Sequence, residues 1–128
     1  MARKSRSERM QVLGRMPVTV QSRPFYICEV GRIVRRYTPL QVKNRREISR
    51  DIIQQLILRI HEKFILTAEP HVDQSIVNDI KQAYKMWRYK LHKHCLQFAT
   101  ANEALAHVPV NVKVDDWEYL VALWHDLN

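Results

Sequence analysis

Apolar side chains recur at helical spacing along the second half of the chain. The most regular stripe steps by three or four residues and consists of Ile76, Ile80, Tyr84, Trp87, Leu91, Cys95 and Phe98. Such steps place side chains on one face of a helix, so we predict a helix over about 73–98 with Asp73 as its N-cap. A different face of this helix carries Lys81, Lys85, Arg88 and His92. One side is therefore expected to pack, while another presents cations.

Two further helices are predicted on either side of this long one. Apolar positions at helical spacing follow Ser49, which suits an N-cap, and predict a helix over about 50–64. A last helix is predicted over about 115–125, capped by Asp115 or Asp116. It carries Trp117 and Trp124, which are seven residues apart and therefore share a face that is expected to close the core. Residues 100–107 are expected to add a short helical turn.

The N-terminal third of the chain shows no comparable stripe. Val18–Val20 and Phe25–Val30 are short β-rich runs, and Pro24 cannot donate to a ladder, so we predict a small hairpin or two extended arms. Gly31–Arg46 is predicted to be mostly extended. The expected fold is mainly α, with a basic flexible arm over 1–16 and one domain over 17–128. In that domain an extended or β-like basic segment (17–48) precedes three main helices.

Positive charge is concentrated near the N-terminus. Residues 1–50 hold 13 Lys and Arg against three acidic residues, whereas residues 51–128 hold eight against ten, in keeping with a net charge of +8. A basic segment is drawn to polyanions such as nucleic acid or an anionic membrane. No apolar run approaches the roughly 18 residues that span a bilayer, so no membrane partner is expected. An arginine-rich start of this kind suits a nuclear protein that faces DNA.

Several motifs follow one another between about residues 30 and 124. A basic stretch from Gly31 to Arg36 with Pro39 precedes a predicted helix that ends in Phe64. Then come Trp87-Arg88-Tyr89-Lys90-Leu91, Val108-Pro109 and Trp117-Glu118-Tyr119-Leu120-Val121-Ala122-Leu123-Trp124. In this order they resemble the plant transposase family of Ptta/En/Spm type, which includes many transposon-derived plant proteins. The resemblance implies transposon ancestry and binding of DNA or protein.

The resemblance includes the later arginines of the basic segment and leaves those of the terminal arm outside. We therefore predict that double-stranded DNA is contacted by Arg32, Arg35, Arg36, Arg45, Arg46, Lys81, Lys85 and Arg88. A helix face of this kind can lie against phosphates in a major groove, with Arg88 or Lys85 reaching base edges. An ordinary solvated face is the alternative. For the terminal arm, the alternatives are a solubilising tail or a nuclear localisation signal.

The sequence gives no sign of a catalytic centre, a metal site or a cofactor site. Transposon cleavage needs acidic residues gathered around a divalent metal, and here the acidic residues are spread over predicted helices. His92, His94 and Cys95 could supply zinc ligands, but residues two apart on a helix point in different directions. Structural zinc usually takes four ligands from two paired elements, and no second pair stands out, although His71, His107 and His125 are left unassigned. Cys28 and Cys95 form no CxxC motif and are expected to be free buried thiols rather than a disulfide.

Two hypotheses of different classes remain. The first is a small, non-catalytic, transposon-derived nuclear protein that binds DNA through its arginine-rich segment and its basic helix face. The second is a helical module for protein interaction or self-association, with no direct DNA role. In the second, the contact surface is the aromatic C-terminal face or an edge strand near Phe25–Val30. An exposed Trp124 would favour this second hypothesis.

Overall fold

The computed structural model describes residues 15–66 and 70–125, and this part of the chain is mainly helical, as predicted. The N-terminal elements are β1 (Met16–Pro17), α1 (Arg23–Tyr37), a 3-10 turn (Arg45–Glu47) and α2 (Arg50–Lys63). They are followed by β2 (Phe64–Ile65), α3 (Pro70–Cys95), α4 (Ala101–Leu105) and α5 (Val114–Trp124). The two short strands pair in parallel, with Met16 opposite Phe64. Of the predicted arm over 1–16, residues 1–14 lie outside the described residues.

The three predicted helices are confirmed within a few residues. Ser49 caps α2 as predicted, because its side-chain oxygen accepts a hydrogen bond from the Ile52 backbone N–H at 3.3 Å. The other two caps are wrong. Helix α3 begins at Pro70, so Asp73 lies in its first turn, and Lys113 is the N-cap of α5. The predicted acidic caps of α3 and α5 still lie near helix N-termini, where the dipole favours negative charge.

The prediction of an extended basic segment over 17–48 is wrong for residues 23–37, because they form the 15-residue helix α1. Pro24 occupies the first turn of this helix, where its missing N–H has no intrahelical partner to lose. Tyr26, Val30, Ile33 and Val34 recur at helical spacing and are buried against α2 and α3. Tertiary packing thus outweighs the weaker helix propensity of β-branched residues. Among the described residues there are four long helices instead of three.

The predicted hairpin does not form either. Residues 18–22 make a tight turn in which the Thr19 backbone N–H donates to Ser22 Oγ at 2.7 Å, and that hydroxyl donates to the Pro17 carbonyl at 2.9 Å. This turn leads the chain directly into α1. The strand that does form, β1, lies earlier and pairs with β2, far away in sequence.

Two hydrophobic cores lie along α3. One packs α1 and α2 against its N-terminal half and includes Val34, Leu56 and Ile80. The other core packs three elements against the C-terminal half of α3: helix α4, helix α5 and the loop that follows α1. It includes Leu91 and Trp117. Because α3 belongs to both cores, it is the central element of the fold.

The three tryptophans differ in burial. Trp117 is fully buried, and its indole N–H donates to the Ala104 carbonyl at 2.8 Å. Its ring lies 6.2 Å from that of Trp124, which confirms that they share a face. Trp124 and Trp87 are only partly buried, and Trp87 packs against both cores. The predicted tryptophan core is therefore fully realised only at Trp117.

Candidate nucleic-acid interface

The structure places seven of the eight predicted DNA contacts on two surfaces on opposite sides of α3. One surface is a pocket of about 440 Å³, which we call the cationic pocket. It is lined by Lys43, Asn44, Arg45, Asn78, Lys81, Gln82, Tyr84, Lys85 and Arg88. The other is a larger groove between α1 and α3 that includes Arg32, Arg35 and Arg36. Arg46 is exposed and lines neither of them.

Helix periodicity and a short loop build the cationic pocket. Lys81, Lys85 and Arg88 are spaced by four and three residues, so α3 places them on one face as predicted. The loop before α2 lies alongside them, because its 3-10 turn contacts α3. Asn44 begins that turn, and its side-chain oxygen accepts a hydrogen bond from the Arg46 backbone N–H at 2.9 Å. This arrangement brings Lys43 and Arg45 beside the helix.

Arg88 holds this loop in place, and it does not project freely toward a ligand. Its guanidinium donates to the Leu40 carbonyl at 2.9 Å and to the Lys43 carbonyl at 3.0 Å. The adjacent Tyr84 hydroxyl donates to the Pro39 carbonyl at 2.9 Å, and burial raises the pKa of Tyr84. Arg88 therefore helps to position the loop, and its predicted contact with base edges stays a prediction.

The cationic pocket is positively charged, and none of the described residues that line it is acidic. Five of its residues are cationic, and three others are Asn or Gln, whose amides can bind phosphate oxygens or base edges. Lys81 and Lys85 form no ion pair with any residue of 15–66 or 70–125. The Glu47 carboxylate beside the loop accepts a hydrogen bond from the Lys43 backbone N–H. The pocket therefore has the charge and the donors of an anion-binding surface.

Of the positively charged residues that the structure places in the lining of the cationic pocket, Lys43 alone was not among the predicted contacts. Its position depends on the loop folding back on α3, which no local pattern reveals. A usable signal does exist for α3, because the sequence has no acidic residue from Ile80 to Asn102. Within that stretch Lys90 and Lys93 are exposed and add to the positive surface of the helix.

The arginines of α1 have different surroundings. Arg32 is paired with Glu29 at 2.9 Å, and Lys63 contacts the same carboxylate at 3.0 Å. Hydrogen bonds from Arg32 and Lys63 lower the pKa of Glu29, so this carboxylate stays charged and neutralises its partners. Arg35 and Arg36 are exposed and line the groove between α1 and α3. Only part of the predicted arginine set is therefore open to a ligand.

The possible zinc ligands have other partners. The His92 ring stacks on Trp124 at 4.7 Å, and His94 Nε2 lies 2.8 Å from the His107 carbonyl. Cys95 Sγ lies 3.5 Å from His125 Nε2. In the part of the chain that the structure describes, no three His, Cys, Asp or Glu side chains converge on a common point. Asp116, of the acidic pair in α5, accepts a hydrogen bond from the Gln41 amide at 3.0 Å.

The two cysteines are free, but only Cys95 is buried, so the prediction of two buried thiols is wrong for Cys28. Burial raises the pKa of the Cys95 thiol, and the reactive thiolate is thereby suppressed.

Iodoacetamide at neutral pH is expected to modify Cys28 alone in the folded protein and both thiols in denaturant. Intact-protein mass spectrometry measures the adducts, and rapid native labelling of Cys95 would contradict its burial.

No helix in residues 15–66 and 70–125 combines the length and the apolar character needed to cross a membrane. Comparison of the chain with models of protein families, with curated proteins and with solved structures finds no match in any of the three.

Proposed function

We propose that this protein is a non-catalytic, double-stranded DNA-binding protein that uses the cationic pocket beside α3. The observation that carries the proposal is the convergence of Lys43, Arg45, Lys81 and Lys85 from two separate segments on one surface. A surface of clustered cations can supply the phosphate contacts that dominate affinity for duplex DNA. Descent from the plant transposase family and a nuclear location belong to this proposal as predictions drawn from the sequence.

The proposal narrows the predicted set of contacts. Arg45, Lys81 and Lys85 keep their predicted role, and Lys43 joins them. Arg88 is assigned to loop positioning, because two of its N–H groups already donate to backbone carbonyls. Among the residues that the structure describes, the pocket lining contains no aliphatic side chain, which matches a polar phosphate backbone better than a protein surface. Asn78 and Gln82 supply amides that can contact phosphates or bases.

Binding of the full-length chain to a random-sequence duplex is expected to weaken steeply with salt. The Lys81→Gln, Lys85→Gln double variant should reduce the slope of log K against log salt by about 2, because each lysine that contacts a phosphate contributes about 1. The measurement is fluorescence anisotropy of a labelled duplex between about 50 and 200 mM salt.

The matched control is Arg35→Gln with Arg36→Gln, which removes the same charge from the opposite side of α3. It should change the slope much less than the lysine variant. Equal losses from both variants would show a diffuse response to net charge and would remove the cationic pocket as the contact surface. No binding by the unmodified chain at about 50 mM salt would overturn the whole proposal.

A further inference from the structure

We infer that the groove between α1 and α3 binds an acidic amphipathic helix of a partner protein. The groove has a volume of about 1030 Å³, at the upper end of the range for ligand sites, and its floor and rim combine apolar and cationic groups. It lies across α3 from the cationic pocket and shares only Gln82 with it. The inference therefore goes beyond DNA binding and is independent of it.

Three apolar side chains that line the groove are exposed to solvent. Ile27, Met86 and Val110 are 44%, 41% and 87% exposed, and the partly buried Trp87 lies in the lining between the helices. Trp and Met are enriched at protein interfaces, where burying such groups supplies most of the binding energy. The groove thus offers an anchor site for apolar side chains of a partner.

Local structure fixes the most exposed of these groups. Val110 lies in a turn closed by a hydrogen bond from the Val112 backbone N–H to the Pro109 carbonyl at 3.3 Å. Asn111 follows Val110 with φ of 65°, a left-handed conformation that asparagine tolerates better than most residues. Val110 is therefore held at the rim of the groove. When a partner covers it, ordering of this loop costs little conformational entropy.

The charged part of the groove selects an acidic partner. Arg35, Arg36 and Lys90 form no ion pair with the described residues, and Arg36 makes only a cation–π contact with Tyr37, at 5.6 Å. Asp79 is the one acidic side chain among the described residues of the lining. It accepts a hydrogen bond from the Tyr26 hydroxyl at 2.9 Å and lies 4.0 Å from Arg23. The free charge facing an occupant is consequently positive.

Gly31 leaves space for one of these cations beside the groove. A Cβ at this position would lie only 3.0 Å from Arg35 Nη1, so the glycine leaves room for the guanidinium above the helix. Apolar anchors flanked by cations match a helix with aliphatic residues at i, i+3/i+4 and i+7 and acidic residues on either side.

Other occupants fit less well. The described part of the lining includes no residue of β1 or β2, so an added strand would find no edge to pair with. The chain's own residues 1–14 carry Arg3, Lys4, Arg6 and Arg9 against Glu8, which gives them the same sign as the groove. Duplex DNA would bury Ile27, Met86 and Val110 against phosphates, which gains little from their apolar surface.

The test uses a labelled synthetic peptide of about 18 residues, or five helical turns, with leucine at the anchor positions and glutamate elsewhere. Full-length protein is expected to bind it saturably in fluorescence anisotropy. A peptide of identical composition with scrambled leucine positions should bind at least about tenfold more weakly, since it cannot present one apolar face. Equal binding of the two peptides, or no binding of either, would overturn the inference.

Variants then assign the binding to this groove. Arg35→Glu with Arg36→Glu should lower the affinity for the glutamate peptide by about tenfold or more. The same double variant should raise the affinity for a peptide that carries lysine in place of glutamate. Lys90→Glu provides a second charge reversal if the double variant melts at a lower temperature. Met86→Ser should lower the affinity for both the glutamate and the lysine peptide. Lys81→Gln with Lys85→Gln should leave peptide affinity unchanged even where it impairs DNA binding, so the two proposals fail or succeed separately.

Three results would identify a different occupant or a different surface. Displacement of the peptide by unlabelled duplex DNA would show that the groove belongs to the nucleic-acid surface. Concentration-dependent dimerisation in light scattering that Met86→Ser abolishes would show that a second copy of this chain covers it. Unchanged peptide affinity in both charge-reversal variants would show that the peptide binds elsewhere.

Discussion

Replacing Trp117 with alanine is expected to lower the free energy of unfolding by about 3–5 kcal/mol. Trp117 is fully buried at the centre of the C-terminal core, where it packs with Leu91, Leu120 and Ala104. The substitution leaves a large cavity and also removes the donor that pairs with the Ala104 carbonyl at 2.8 Å. A loss of this size is a large part of the stability of a small domain.

Chemical denaturation followed by circular dichroism measures the effect. Trp117→Phe retains most of the ring volume and should recover much of the loss, which separates the packing contribution from the hydrogen bond. Trp87→Ala is the comparison at a partly buried site and should cost less. If Trp87→Ala proves as damaging as Trp117→Ala, the junction between the two cores contributes more than side-chain burial indicates.

The contrast between these two tryptophans shows how far a periodic pattern can predict packing. The stripe on α3 correctly identifies the buried face, and Ile76, Ile80, Tyr84, Leu91 and Cys95 are all buried. Trp87 belongs to the same stripe but lines the groove and is only partly buried. Periodicity gives the direction of a side chain, whereas its burial depends on neighbouring elements. For Trp87 those neighbours come from distant parts of the sequence.

Helix α1 escaped prediction for a related reason. Its β-branched residues and Pro24 are typical of extended structure when they are considered locally. The spacing of Tyr26, Val30, Ile33 and Val34 is nevertheless helical, and their burial against α2 and α3 stabilises the helix. Pro24 fits either interpretation, since it suits the first turn of a helix as well as the edge of a strand. The choice between them depends on tertiary packing that the sequence does not display.

The cationic pocket could be predicted only in part. Lys81 and Lys85 follow from helix spacing, because residues four apart share a face. That Lys43 and Arg45 join them could not be predicted, since the loop is held by side chains more than 40 positions away in sequence. The predicted contact Arg88 illustrates the converse problem. Its charge and spacing suit DNA, whereas in the fold its donors bind backbone carbonyls.

Replacing Arg88 with methionine is therefore expected to impair both stability and DNA binding. Methionine keeps the aliphatic stem but removes the hydrogen bonds to the Leu40 and Lys43 carbonyls, which should cost about 1.5–3 kcal/mol, the size of one charge-assisted hydrogen bond. The cost is that of one bond and not of two, because the bond to the Lys43 carbonyl is solvent-exposed and contributes little. In the methionine variant, the loop loses two of its hydrogen bonds to α3, and Lys43 and Arg45 are held less firmly beside Lys81.

The decisive comparison is with Arg88→Lys, which preserves the charge but cannot reproduce the planar fork that reaches both carbonyls. If Arg88 acts by positioning the loop, the lysine variant should lose DNA affinity nearly as the methionine variant does. The slope of log K against log salt should then fall by more than the roughly 1 expected for one lost phosphate contact. If Arg88 instead contacts DNA directly, lysine should restore affinity and slope, because an ammonium also binds phosphate. Duplex-binding anisotropy over a salt series, together with thermal melting of each variant, distinguishes these outcomes.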